Sequence, residues 1–286
     1  MLSSSLVKAQ VRSRSSQTIA SIGNVSVNFV VSTNRLHMDA QGNFYFRGSN
    51  GSENTIYKYT ASTGAITSVY TLSSVVNWGV DSAGVVYFNY GPGGDNNVYA
   101  VGGSYGASPV VIFTSPWTVG GLCFAVKKDG TAIYLTEISN GSSQNLVKYS
   151  AWSGGTATSN LINTGFSSLT GSPRPNYADT FGNVYAGCPS PEGPFPLVKC
   201  TPGGTVTSLS TSYIATAGLA FDESSKYLYV PQSNVLYEVD SVSGNATGVT
   251  FSVSSLGGVA TTASSRSIYV LSGGTPASII ALAPNY

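Results

Sequence analysis

The chain has 286 residues and a formal net charge of +1, enough for one large β domain or two ordinary ones. Charged residues make up only 9%, against ~25% in an average soluble protein, yet hydrophobic residues reach 42%. No apolar run approaches the ~18 residues of a membrane-crossing helix. No basic stripe or RNA-binding motif points to nucleic acid. The chain is therefore expected to bury a core and to be solvated by hydroxyls and amides, with Ser and Thr forming roughly a quarter of it.

From the N-terminus, residues 1–24 read as a basic arm. The first 38 residues carry Lys8, Arg12, Arg14 and Arg35 and no acid. A polar terminal tail and an Arg- and Ser-rich transit segment both fit that composition. The opening "MLSSSLVKAQ" lacks the apolar segment of a secretory signal. Four Asn-X-Ser/Thr sequons, at Asn24, Asn50, Asn140 and Asn245, are what chance gives in so hydroxyl-rich a chain.

Beyond the arm, residues 25–286 read as one repeat domain. "MDAQGNFYF" (Met38–Phe46) aligns with "VDSAGVVYF", "VKKDGTAIYL", "ADTFGNVYA", "FDESSKYLYV" and "TASSRSIYV". Their tyrosines are Tyr45, Tyr87, Tyr134, Tyr185, Tyr229 and Tyr269, spaced by 42, 47, 51, 44 and 40 residues. A second alternating segment follows each: "IYKY", "VYAV", "LVKY", "LVKC", "LYEV" and "IIAL". Four short antiparallel strands per ~40–50 residues make the blade of a β-propeller. The expected fold is all-β, a six-bladed propeller with four antiparallel strands per blade. The sixth copy runs out before its fourth strand, so "VSVNFVV" (Val25–Val31) is expected to complete it and close the ring.

"VDSAGVVYF" is similar to the repeat core of NHL propellers, and "SSKYLYVPQSNVLYEVDSVSGN" resembles a YVTN unit. The resemblance covers about residues 25–286 and implies a six- or seven-bladed propeller. It leaves function open, because such propellers host lactonases, lyases, protein-binding scaffolds and viral spikes. Lactonase-type members hold a divalent cation in the channel through Glu, Asp and Asn of inner strands. Here the inner segments "LHMD", "WGVD", "LCFAV", "NYAD", "LAFD" and "GVATT" contain no Glu. A hard cation wants several oxygen ligands, so no metal and no cofactor are expected.

Asp39, Asp81, Asp179 and Asp222 head the first turn of their copies, where Asp caps backbone N–H groups and Gly supplies positive φ. His37 is the only histidine in the chain, so no triad can form around it. It shares a strand face with Asp39 and is a candidate channel residue with Asn77 and Asn176. Cys188 and Cys200 are expected to sit ~10 Å apart along a hairpin pairing 185 with 200, too far for a disulfide. Cys123 is expected in an inner strand. "GPGGDNN" (Gly91–Asn97) lacks the Lys-Ser/Thr of a phosphate loop.

Loops joining second to third strands share a face with the inter-blade loops. They are longest over blades one to four, where a rigid scaffold would present a ligand site. Candidate residues on this loop face are Glu53, Asn54, Tyr90, Asp95, Trp117, Arg174 and Phe195. The inter-blade loops also bring Phe166 there. The best-supported role is a non-catalytic interaction or structural module, extracellular or on a virion or phage-tail surface. It would bind a protein through the arm or a glycan on the loop face. The alternatives are a lactonase- or lyase-like enzyme with a channel cation, and a secreted lectin.

Overall fold

The computed structural model describes residues 14–22, 35–50, 53–72, 77–90, 95–116, 118–139, 143–164, 166, 174–187, 197–210, 218–224, 226–261, 267–273 and 277–284. They form six four-stranded antiparallel sheets. Blade one holds β2 (Leu36–Met38), β3 (Phe44–Asn50), β4 (Glu53–Thr60) and β5 (Ala65–Leu72). Blade two holds β6 (Asn77–Val80), β7 (Val86–Asn89), β8 (Asn97–Val101) and β9 (Val110–Thr114). Blade three holds β10 (Thr118–Val126), β11 (Ala132–Ser139), β12 (Ser143–Ser153) and β13 (Thr156–Asn163). Blade four holds β14 (Arg174–Ala178), β15 (Val184–Gly187), β16 (Leu197–Cys200) and β17 (Val206–Ser210). Blade five holds β18 (Ala220–Asp222), β19 (Tyr227–Gln232), β20 (Val235–Asp240) and β21 (Ala246–Ser252). Blade six holds β22 (Leu256–Thr261), β23 (Ile268–Ser272), β24 (Ala277–Pro284) and, from the other end of the chain, β1 (Arg14–Ile22).

The ring is closed by Arg14–Ile22 pairing antiparallel with β24, from Arg14 opposite Pro284 to Ile22 opposite Ala277. This corrects the closing strand expected at Val25–Val31, a segment that lies outside the described residues. Outer strands here need few apolar residues, because most of their surface faces water; "TATSNLIN" and "VTSLS" are typical. The hydroxyl-rich "RSSQTIASI" has the same character: among the described side chains at 16–22 it buries Ala20 and Ile22.

The core lies between blades. Six buried clusters each straddle one pair of neighbouring blades. Between blades six and one, Ala20, Ile22 and Ile279 meet Leu36, Phe44 and Phe46. Apolar burial at ~25 cal/mol per Å² therefore ties the ring shut beside the strand pairing.

The repeated Asp, Gly and Tyr form a latch. Asp39 Oδ1 accepts the Gln41 and Asn43 backbone N–H groups at 3.0 and 2.9 Å, and Oδ2 accepts the Tyr45 hydroxyl at 3.1 Å. Asp81 holds Ala83, Val85 and Tyr87 in the same way, and Asp179 holds Asn183 and Tyr185. Adjacent turns are also linked through their backbones, Ala40 N–H to Ser82 O and Ser82 N–H to Lys128 O. The aspartates are thus turn-formers that also anchor the second strand.

Candidate functional site

The sequence points to the channel at the centre of the ring and to the loop face. In the channel, β2 presents His37, and Arg35 stands immediately before it. Arg35 is buried, 3% exposed. Nη1 donates to Trp78 O at 3.2 Å and to Phe124 O, while Nη2 donates to Pro175 O at 3.2 Å and Asn176 Oδ1 at 3.3 Å. One side chain from blade one therefore ties together the inner strands of blades two, three and four. The close approach requires glycines on the far wall. A Cβ on Gly218 would lie 2.8 Å from Arg35 Cγ, and one on Gly258 would lie 2.7 Å from Leu36 N.

Lys128, in the first turn of blade three, reaches back to donate to Met38 O at 3.2 Å. Burial lowers its pKa, against the opposing pull of Asp81, Glu223 and Asp39. His37 packs edge-on to Trp78 at 4.8 Å, and its Nε2 is buried without a hydrogen-bond partner. Burial, then Lys128 and Arg35, hold its pKa well below the usual 6.5. A cavity of ≈ 20 Å³ remains among Arg35, His37, Lys128, Asn176 and Tyr177, room for about one water.

The structure brings His37 and Asn176 together on this cavity. Asn77 is buried elsewhere and donates Nδ2 to Asn89 Oδ1 at 3.0 Å. The expected partner of His37 on its strand face, Asp39, is engaged by its own turn and Tyr45. Among the described residues no group of three or more His, Cys, Asp or Glu could hold a metal ion. The buried glutamates serve hydroxyls: Glu137 accepts from Ser115 and Tyr149, and Glu238 from Tyr229 at 3.0 Å. Burial raises the Glu137 pKa, with the Ser115 and Tyr149 hydrogen bonds opposing it.

On the loop face, Tyr90 lies in an aromatic cluster with Tyr70, Phe88 and Tyr99. Phe88 stacks on Tyr70 at 5.1 Å and on Tyr99 at 5.3 Å. The Tyr70 and Tyr90 hydroxyls are 3.3 Å apart. Asp95 is exposed and accepts from the Tyr99 hydroxyl and from Asn97 Nδ2 at 2.9 Å. Tyr90 and Asp95 thus share one cluster. Glu53 and Asn54 begin β4 at the tip of its hairpin, and Arg174 begins β14. Trp117 and Phe195 lie outside the described residues.

Phe166, expected among the loop-face aromatics, is instead fully buried between blades three and four. Beneath the loop face, Arg47 and Asn89 are buried, and Arg47 Nη1 and Asn89 Nδ2 lack partners. Each stands two residues after its blade's repeat tyrosine. A polar residue at that inward position, where blade six has Leu271, was the signal for them.

Cys200 is a free, buried thiol whose pKa burial pushes up to about 11. The hairpin register places it opposite Val184, with Tyr185 opposite Lys199, one residue from the pairing expected. Cys123 falls within inner strand β10, and Cys188 lies outside the described residues.

No family model and no curated protein matches the chain. Solved structures do resemble it. The oligogalacturonate lyase in complex with manganese superposes with a TM-score of 0.54 at 9% identity, covering 96% of this chain and 97% of that one. Streptogramin B lyase gives 0.55 at 13% identity, covering 95% and 98%. TolB from Acinetobacter baumannii gives 0.53 at 11%, and this chain spans only 54% of that protein's length. A nidogen/laminin complex gives 0.55 at 14%, covering 78% and 80%. Such likeness concerns the fold alone, and it includes enzymes and binding proteins. No helix among the described residues is long and apolar enough to cross a membrane.

Proposed function

We propose that this chain is a non-catalytic propeller module that engages a partner protein through its surface, as an extracellular or virion-surface component. The observation that carries this reading is Arg35. In a propeller with a channel metal, inner-strand oxygens converge on a cation. Here a guanidinium already takes the carbonyls of Trp78, Phe124 and Pro175. Lys128 adds a second cation nearby, so a divalent ion would meet repulsion. The channel acts as a strut, and contact with partners falls to the faces. The low charge and hydroxyl-rich composition support the virion-surface part of the proposal, and the NHL and YVTN resemblance fits a scaffold.

The loop face over blades one and two is the contact region, with Tyr70, Tyr90, Tyr99 and Asp95 displayed together. Tyrosine supplies large contact area at low entropic cost. The same cluster favours a second reading, glycan binding on that face. The lactonase- or lyase-like reading draws only on fold likeness. The candidate docking arm shortens to residues 1–13, because Arg14–Ile22 belong to blade six.

Elemental analysis after dialysis against Ca²⁺, Mn²⁺ and Zn²⁺ tests the central claim. Substoichiometric metal is expected; one tightly held ion per chain, lost in Asn176→Ala, would overturn it. Size-exclusion chromatography of the full chain and of a chain starting at Arg14 tests the arm. Identical assembly of the two would remove it.

A further inference from the structure

The face opposite the long loops carries the first-hairpin turns and the turns between third and fourth strands. Blades two and three face each other there across two departures from the repeat. The connection from β8 to β9 is Gly102–Pro109 and contains a 3₁₀ turn, Gly103–Tyr105, where blade one uses the tight turn Ala61–Gly64. In blade three, the register between β12 and β13 shifts between Ser150 and Ser153, and Ala151 adopts φ +51°. A non-glycine residue in that region is strained, and bulges re-aim side chains beside functional sites.

The bulge aims Trp152 at the insertion. Its Nε1 donates to the Tyr105 hydroxyl at 3.0 Å, and its ring meets Tyr87 at 5.8 Å and Phe113 at 6.2 Å. In the four other blades with a third-to-fourth-strand turn the counterparts are Ser62, Ser104, Gly203 and Val242, none of them aromatic. Across from it, Asp129 accepts Thr131 N–H at 3.0 Å, Thr131 Oγ1 at 2.6 Å and Lys127 Nζ at 2.7 Å, yet stays 48% exposed. Its orientation is fixed while one side remains open. Partial burial raises its pKa, but Lys127 and Thr131 outweigh that and leave it lowered, hence ionised. Between them lies a groove of ≈ 580 Å³, within the ~300–1,000 Å³ of small-molecule sites.

We propose that this groove binds a neutral carbohydrate, with a pyranose C–H face against Trp152 and Tyr105 and hydroxyls on Asp129, Ser104, Thr131 and Ser150. An apolar ligand would desolvate the carboxylate and three hydroxyls without return. An anionic sugar would face Asp129 and Asp81, with Lys127 already taken by Asp129. A neutral polyol satisfies both walls. The site is separate from the loop face and from the channel, so its failure leaves the proposed scaffold role standing.

The test is a glycan array carrying neutral and acidic glycans, probed with the full chain and with Trp152→Ala, Asp129→Asn, Ser104→Arg and, as a control at an exposed turn of blade five, Val242→Ala. Ser104 is exposed, so Ser104→Arg fills the groove without touching the core. The expected result is binding confined to neutral glycans, weakened at least tenfold by Trp152→Ala and by Ser104→Arg, several-fold by Asp129→Asn, and not by Val242→Ala. Should Trp152→Ala misfold, Ser104→Arg decides alone. The proposal is overturned by silence across the array, by preference for acidic glycans, or by binding that survives Ser104→Arg.

Discussion

The Tyr45 hydroxyl occupies the space that a side chain on Gly84 would need: a Cβ there would lie 2.5 Å from the oxygen. The relationship repeats at the next two blade junctions. A Cβ on Gly130 would meet Asp81 Oδ2 at 2.5 Å and the Tyr87 hydroxyl at 3.2 Å, and one on Gly182 would meet the Tyr134 hydroxyl at 3.0 Å. The Asp–Tyr latches of blades one and two thus dock on the turn glycine of the next blade, and the Tyr134 hydroxyl of blade three does the same. Gly42 heads the series and has nothing within 4 Å.

That difference predicts two separable costs. Both Gly42 and Gly84 have φ near +80°, so alanine at either pays the left-handed penalty of ~1–2 kcal/mol. Only Gly84→Ala also drives into the Tyr45–Asp39 pair, adding about 1–3 kcal/mol of overpacking. Urea denaturation should therefore rank Gly84→Ala clearly below Gly42→Ala. Equal midpoints for the two variants would mean that the latch does not bear on blade packing.

Arg35 should be as important to stability as any apolar core residue. Arg35→Leu removes the donors that satisfy carbonyls of three blades, and an unsatisfied buried acceptor costs about 1–3 kcal/mol. A loss of at least ~3 kcal/mol is expected on that basis. Arg35→Lys should restore little, because one ammonium lacks the planar fork that reaches several acceptors. Denaturation of both variants provides the check, and full rescue by lysine would contradict the strut.

Much of this architecture is legible in the sequence. The Tyr repeat and the Asp/Gly turns mark a period, and a period of 40–51 residues leaves few folds. Asp39 reads as a turn-former because Asp81, Asp179 and Asp222 recur at the same turn of other copies. Features that depart from the repeat were harder. Arg35 lies just outside its strand and looks like the end of a basic tail; only ring closure brings it against blades three and four. Trp152 looks like an ordinary β residue until the bulge at Ala151 turns it towards Tyr105. Outer strands such as Arg14–Ile22 carry little hydrophobic signal, since they bury little.

Ring closure by that outer strand has its own consequence. A chain starting at Arg14 should fold with wild-type stability, since β1 pairs with β24 from Arg14 onwards. A chain starting after Ile22 exposes the edge of β24 and uncovers Leu36, Phe44 and Phe46. It is expected to aggregate or pair with a second copy, as unprotected edges do. Light scattering and circular dichroism on the two truncations separate the cases, and a monomeric, stable chain lacking Ile22 would count against closure by this strand.

His37 should make stability depend on pH in one direction. Its folded pKa lies well below 6.5 because of burial, Lys128 and Arg35. Between those two values the unfolded chain binds a proton that the folded chain does not. Stability is therefore intact above about pH 6.5 and is lost as pH falls below it, by up to about 1.4 kcal/mol per unit. Lys128, also lowered, starts from 10.5, so in a comparison from pH 7.5 to 5.5 it acts equally on both proteins. Glu137, raised by burial, has the opposite slope: its contribution is full below its ordinary 4.5 and is lost as pH climbs through its folded value. Comparing wild type with His37→Gln cancels both. Urea midpoints at pH 7.5 and 5.5 should converge on, or cross, those of the variant as pH falls, because only wild type carries the titrating group. Parallel loss in both proteins would show that His37 is not the group excluded from protonation.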